Sequence, residues 1–297
     1  MLYEREPVTI GVDIGAGTLR AVALRPEGNA FRLLAAAETA RTPNHPVPSA
    51  LDVERLAQAL ERQGQNARSI VLAAPADRVA SAVVELPPRS SGAPIEMLAK
   101  AEMAKNLPGD SEVSVFDLPP GRRVRVSEYL AIALSHASAS ELLSPFTQSG
   151  ITVDAIEPEG SALQRITGSN SRVVLETGSR GVRIHAFEPG GALFVRCIET
   201  QGESIESDRI RTSIIGTIDY LAERFPVLEE ASVFVLGDQR QGNRLAELLT
   251  REFEAEVMRE PIANVLPVDW LESLDACRRW PIALGLAMRP AGVGALA

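Results

Sequence analysis

The chain has 297 residues, enough for two domains of ordinary size. Its hydrophobic content of 45% and charged content of 23% are those of a soluble globular protein, and a net charge of −9 argues against nucleic acid or an anionic membrane as the main partner. No apolar run reaches the ~20 residues of a membrane span, and the charged start MLYEREPVT has no apolar signal region. The two cysteines, Cys197 and Cys277, have neither disulfide nor metal spacing and read as reduced, partly buried thiols.

The first element is a hairpin. Val8 to Phe31 reads VTIGVDIGAGTLRAVALRPEGNAF: an apolar strand, Asp13-Ile14-Gly15, a glycine turn, and a second apolar strand from about Leu19. Backbone N–H groups in such a turn can converge on an anion, and a carboxylate at its mouth can hold a water of a bound metal ion. Asp and Gly are also ordinary hairpin residues, so one copy alone specifies little. A second copy follows at Val173 to Phe194, VVLETGSRGVRIHAFEPGGALF. One gapless register, offset by 163 positions as from Asp13 to Glu176, also matches Gly15 with Gly178, Arg20 with Arg183, Pro26 with Pro189, Gly28 with Gly191 and Phe31 with Phe194. That distance is too long for a solenoid repeat and predicts two halves, each opening on the same hairpin.

Between the hairpins, Asp52 to Gln63 has apolar residues at helical spacing and Ser69 to Pro75 is a continuous apolar run of strand length, the α/β alternation. Strand Val79–Leu86, helix Ile95–Asn106 with Ile95, Leu98, Ala99 and Met103 on one side, and strand Val113–Leu118 form a β-α-β insert at about 78–126. Tyr129 to Leu134 reads as a return to the main buried sheet. Ser138 and Glu141 have the spacing of a capping box, Gly150 suits the end of that helix, and Pro145 inside it predicts a kink or a late start. Strand Ile151–Ile156 and a short helix Ser161–Ile166 close a first domain of residues 1–168. The second, residues 171–290, continues after its hairpin with a third strand, Leu193–Ile198, then a long helix from about Ser204 to Phe225 in which Gly216 suggests close packing. A strand Ser232–Gly237, a helix Asn243–Phe253, a short strand Val257-Met258 and an apolar helix Pro281–Met288, expected against the second hairpin, follow; residues 291–297 read as a flexible tail.

Taken together, D-I-G-A-G-T-x-R, its second copy, and a later strand ending Leu-Gly before a helix resemble the actin/hexokinase/Hsp70 superfamily. AEMAKNLP followed by SVFDL, the run ITVDAIEPEGSALQRI, and the closing IALGLAMRP narrow the resemblance to the PilM-like proteins of type IV pilus assembly. The resemblance implies an α/β, actin-like fold: two duplicated RNase-H-like domains that close around a nucleotide, with a small inserted subdomain in the first. It implies ATP and Mg as ligands, with Asp13, Gly15, Ala16, Gly17 and Thr18 as a first phosphate loop and Arg20 where the family often has lysine. Glu176, Thr177, Gly178 and Ser179 would be the second loop, and Leu236-Gly237-Asp238 the adenosine turn. It also implies a cytoplasmic protein, recruited to the inner membrane by binding a short peptide of an inner-membrane pilus or secretion component, and it leaves room for a homo-oligomer.

Three departures weigh against ATP turnover. Glu176 is one methylene longer than the family's Asp, Gly237-Asp238 replaces a Gly-Gly turn, and Gln201-Gly202-Glu203 runs almost directly into the long helix where the family inserts a second cleft wall. A site with one wall reduced or missing cannot exclude water from a bound ligand. The expectation is a scaffold with a degenerate nucleotide site and no catalytic or metal-ligating residues. The alternatives are an active ATPase or sugar kinase, for which Asp77 is the one candidate base and a turn residue on the plainer reading, and a GspL-like cytoplasmic domain of type II secretion, whose membrane helix and periplasmic domain do not follow here. His45, His136 and His185 are scattered and make no nucleophilic site; Glu203 and Glu206 read as solvated acids at a helix start; and Arg122, Arg123 and Arg125 read as a solvated turn or a face for an acidic partner.

Overall fold

A computed structural model describes residues 8–15, 17–42, 45, 47–107, 109–119, 127–167, 171–178, 181–188, 191–228, 231–237, 239–253, 257–258 and 280–289. Contacts divide the chain into two compact units: residues 1–75 with 137–168 and 262–297, and residues 76–136 with 169–261.

The first unit is built on a five-stranded sheet in the order β3-β2-β1-β4-β8. Strands β1 (Thr9–Ile14), β2 (Thr18–Glu27) and β3 (Ala30–Ala40) form an antiparallel meander. β4 (Ser69–Ala74) and β8 (Thr152–Pro158) add parallel strands beyond β1. Strand alternation splits β1 between the two faces. Ile10, Val12 and Ile14 join Leu56 and Leu60 of helix α1 (Ala50–Glu61) and Leu142 and Phe146 of helix α3 (His136–Gln148) in one core. Gly11 and Asp13 point the other way.

α1 begins on a complete capping box: Ser49 Oγ accepts from the Asp52 N–H at 3.2 Å, and the Ser49 N–H donates to Asp52 Oδ2 at 2.8 Å. α3 differs from expectation. It starts at His136, directly from the preceding strand, so Ser138 lies inside the helix rather than at its cap, and the helix accommodates Pro145. Gly150 ends it with φ of 72°, the left-handed conformation required there, while the Ile151 N–H donates to Phe146 O.

The terminal helix α7 (Pro281–Ala287) packs on this first sheet, not on the second hairpin. The approach is so close that a Cβ at Gly11 would sit 2.3 Å from Ala283 O, and one at Gly285 would sit 2.0 Å from Ala162 O of helix α4 (Glu159–Thr167). A buried ion triad adds to the attachment. Glu157 accepts from Arg165 at 2.6 Å and is ion-paired with Arg289 at 3.0 Å, and Arg165 also donates to Gly285 O.

The second unit carries a five-stranded sheet of the same order and strand sense, β11-β10-β9-β12-β13. β9 (Arg172–Gly178), β10 (Gly181–Glu188) and β11 (Gly191–Glu199) are the antiparallel meander, and β12 (Ser232–Gly237) and β13 (Val257–Met258) run parallel to β9. Helices α5 (Asp208–Arg224) and α6 (Gln239–Phe253) connect β11 to β12 and β12 to β13. Residues 200–207 are all that separate β11 from α5, as the sequence implied.

The 163-position register is written into the hydrogen-bond ladders. Asp13 faces Arg20 as Glu176 faces Arg183, Ile14 faces Leu19 as Thr177 faces Val182, and both second strands shift register at the same place, Ala23/Leu24 and Ala186/Phe187. The match stops there. Leu24 pairs with Leu33, but its counterpart Phe187 pairs with Ala192. The second turn is therefore four residues shorter, and the matches of Gly28 with Gly191 and Phe31 with Phe194 are not structural equivalences.

The insert is a three-stranded antiparallel sheet, β5-β7-β6, of β5 (Val79–Leu86), β6 (Ser111–Asp117) and β7 (Ser127–Ser135), covered by α2 (Ile95–Ala104). β7 contains Tyr129 to Leu134 and is the insert's central strand, not a return to a main sheet. Tyr129, Ala131 and Ala133 pack with Ile95, Ala99 and Met103 under α2, and Leu130 and Ile132, on the opposite face, are buried as well.

Candidate functional site

The two glycine turns are the candidate sites, one in each unit. In the first, β1 delivers Asp13 to the end of the sheet with 6% of its surface exposed. The ladder sets Arg20 directly opposite, and its guanidinium lies 3.5 Å from Asp13 Oδ2 while donating to Glu38 of β3 at 2.6 Å. The same guanidinium covers Gly15. Beneath the turn lies Arg41, nearly buried: its side chain donates to Gly15 O at 2.7 Å and to His45 O at 3.0 Å, and its N–H donates to Gly17 O at 3.0 Å. Gly17 is exposed, with open space where a side chain would go, and Thr18 Oγ1 stands beside Gly15. Ala16 lies outside the described residues. Two arginines thus satisfy the carboxylate and the turn carbonyls from within the unit. Arg41 and Glu38 were not singled out from the sequence: Glu38 lies opposite Arg20 on β3 and Arg41 directly follows that strand, which the sequence reading did not place.

In the second unit Arg183 lies 2.9 Å from Glu176 Oε1 and its guanidinium covers Gly178. The extra methylene of Glu176 brings this pair closer than its counterpart. Thr177 is buried and its hydroxyl donates to Leu236 O at 3.2 Å. Gly237 has φ of +102°, and a Cβ there would sit 2.2 Å from Thr177 O. The space that a glycine vacates at this turn is taken by β9 itself. Ser179 and Asp238 lie outside the described residues.

His185, two residues along β10 from Arg183, is buried, stacked on Phe187 at 6.0 Å, and neither ring nitrogen has a hydrogen-bond partner among the described residues. Desolvation, with Arg183 adding repulsion, lowers its pKa from 6.5 to about 3, so it is neutral at physiological pH.

The remaining candidates are ordinary surface groups. Asp77 is exposed on the turn between β4 and β5. Glu203 accepts from Ser207 and Arg209, both at 2.8 Å, which lower its pKa in that order, and Glu206 pairs with Arg244 at 3.7 Å. His136 meets Glu112 at 3.1 Å. Cys197 is exposed on β11 rather than partly buried. Cys277, Arg122, Arg123 and Arg125 fall outside the described residues. No helix among the described residues is long and apolar enough to cross a membrane.

No family model matches the chain, and no curated protein matches it. Solved structures do. A chain of the PilM-PilN type IV pilus biogenesis complex aligns with a TM-score of 0.67 at 17% identity, over 95% of this chain and 98% of that one. The ethanolamine utilization protein EutJ from Carboxydothermus hydrogenoformans aligns at 0.55 and 14% identity, over 95% and 89%. The chain has the actin-like fold. The cytoplasmic domain of EpsL, an inner membrane component of the type II secretion system of Vibrio cholerae, aligns at 0.50 and 14% identity, over 88% and 100%. In the actin-like fold of this chain, both hairpins carry the carboxylate that the superfamily resemblance implies, and each has an arginine opposite it on the next strand.

Proposed function

We propose that the chain is a cytoplasmic, actin-like scaffold of a type IV pilus or related secretion machine, that it binds the cytoplasmic tail of an inner-membrane component through a short peptide, and that its nucleotide site is degenerate. Two observations carry the second half: the filled turn at Gly237 and the short link between β11 and α5. Gly237, expected to admit a purine, is filled by Thr177. A short link at residues 200–207, with no room for a further subdomain, supports the same reading. The pilus and secretion assignment is supported by the fold likeness to a chain of the PilM-PilN complex over nearly the whole of both chains, and by that to the EpsL cytoplasmic domain. Peptide capture needs no catalysis, so it survives the loss of a nucleotide site.

Calorimetric titration of the full chain with ATP and Mg, together with crosslinking in the native host, tests both halves. The expected result is no binding heat with millimolar nucleotide and recovery of an inner-membrane pilus or secretion component. Magnesium-dependent hydrolysis above a trace rate overturns degeneracy; crosslinking that yields no such component overturns the scaffold.

A further inference from the structure

The insert is encoded inside the first half of the chain, between β4 and α3, yet its contacts lie with the second sheet. β11 is the edge strand of that sheet, and edges expose unpaired backbone groups that proteins must cover. The face of the insert turned away from α2 covers it. β6 and β7 pack on β11. Ser81 of β5 donates to Val195 O of β11 at 3.4 Å. Phe116 of β6 packs on Gly191, where a Cβ would stand 3.1 Å from its ring. From α5, Arg224 reaches back to the insert, pairing with Glu128 of β7 and donating to Pro119 O at 3.5 Å. These contacts explain why β7 is buried on both faces and why Leu130 and Ile132, which do not touch α2, are 2% and 6% exposed.

We propose that the insert and the β9–β13 sheet are one cooperative body, opening and moving together, with the insert joined to the first unit where the chain crosses at Pro75/Ala76 and His136/Ala137, two of four crossings, the others at 168/169 and 261/262. The insert is then a cover for the β11 edge rather than an independent lobe of the first half. A ligand that grips the insert would act on the second sheet before the first.

Native-state hydrogen exchange on the full chain in low urea tests this. The amides of Ser127–Ser135 and of Gly191–Glu199 are expected to merge onto one opening reaction with a common urea dependence, distinct from that of Thr9–Glu27. Arg224→Ala is expected to speed exchange at least tenfold in β7 and β11 together and to leave β1 and β2 unchanged. Insert amides that exchange through their own opening while β11 stays protected overturn the proposal, as does an Arg224→Ala effect that appears in β1 and β2 instead of β11. Should that variant fail to fold, the urea series on the unmodified chain decides alone, because a shared or separate opening is read there without any substitution.

Discussion

At the scale of single residues, the two glycine turns differ in what keeps them glycine. Gly17 faces open space, so its identity is not imposed by packing, whereas Gly237 combines φ of +102° with a neighbour 2.2 Å from any Cβ. That neighbour is a backbone carbonyl of β9, paired with β10 on one side and β12 on the other, and cannot swing aside. Gly237→Ala should therefore cost several kcal/mol, of the order found for strained backbone added to overpacking, about 2–4 in all. Urea unfolding would register it as a lowered midpoint, and an unchanged midpoint would mean that the β9–β12 junction is looser than drawn.

His185 gives a prediction in pH. Its folded pKa of about 3 lies below the unfolded value of 6.5, so the unfolded chain binds the extra proton between them. Stability from this group is complete above pH 6.5 and falls as the pH drops toward 3, by up to about 1.4 kcal/mol per unit. From pH 7 to 5.5 the natural chain should lose about 1 kcal/mol more than His185→Leu. The variant should also be no less stable at pH 7, because it removes two buried nitrogens that lack partners among the described residues. Parallel pH profiles for the two chains would show that the histidine finds a partner after all.

At the scale of elements, α5 shows how local propensity and packing part company. Gly216 in its middle suggested a close approach, but a Cβ there meets nothing within 4 Å. The glycine weakens the helix with no packing return. Gly216→Ala should stabilise the protein by about 0.5–1 kcal/mol. A thermal melt shifted upward by a few degrees would bear this out, and a downward shift would point to a contact that only a bare backbone allows.

The elements also show what a sequence displays. The hairpins were legible because Asp13, Gly15 and Arg20 recur with their spacing intact in Glu176, Gly178 and Arg183, and strand pairing preserves that spacing. The third strand of the second half was placed as well, Leu193–Ile198 lying within β11, but its register against the first half was not, since a gapless comparison cannot see a turn shortened by four residues. β7 misled for a physical reason: an antiparallel strand buried by α2 on one face and by β11 on the other is apolar throughout, like a central parallel strand. Of the candidate site, the carboxylates and glycines were legible, while Glu38 and Arg41 depend on β3, a strand the sequence reading did not place, and the filling of Gly237 depends on β9 and β12, far apart in sequence, coming together.

At the scale of the whole molecule, the order of the chain and the order of the fold disagree in two places, and α7 is the second. All seven of its residues are buried, so the sequence of this helix carries no polar face to say which sheet it meets. The answer lies in two glycines and a triad. Gly11 and Gly285 let backbone meet backbone, and Glu157 holds Arg165 and Arg289 where each charge has a partner. The last described residues thus complete the unit that the first ones began, and the stability of the first sheet hangs on the far end of the chain. Gly285→Val tests this. Its added carbons must push α4 and α7 apart at Ala162, with a cost of about 1–3 kcal/mol or more from overpacking. Hydrogen exchange should then rise in β1, β4 and α4 while β9, β10 and β11 keep their protection. If β9–β11 lost protection to the same degree, the two units would be a single cooperative system, and the terminal helix would be holding the whole chain rather than the half it packs on.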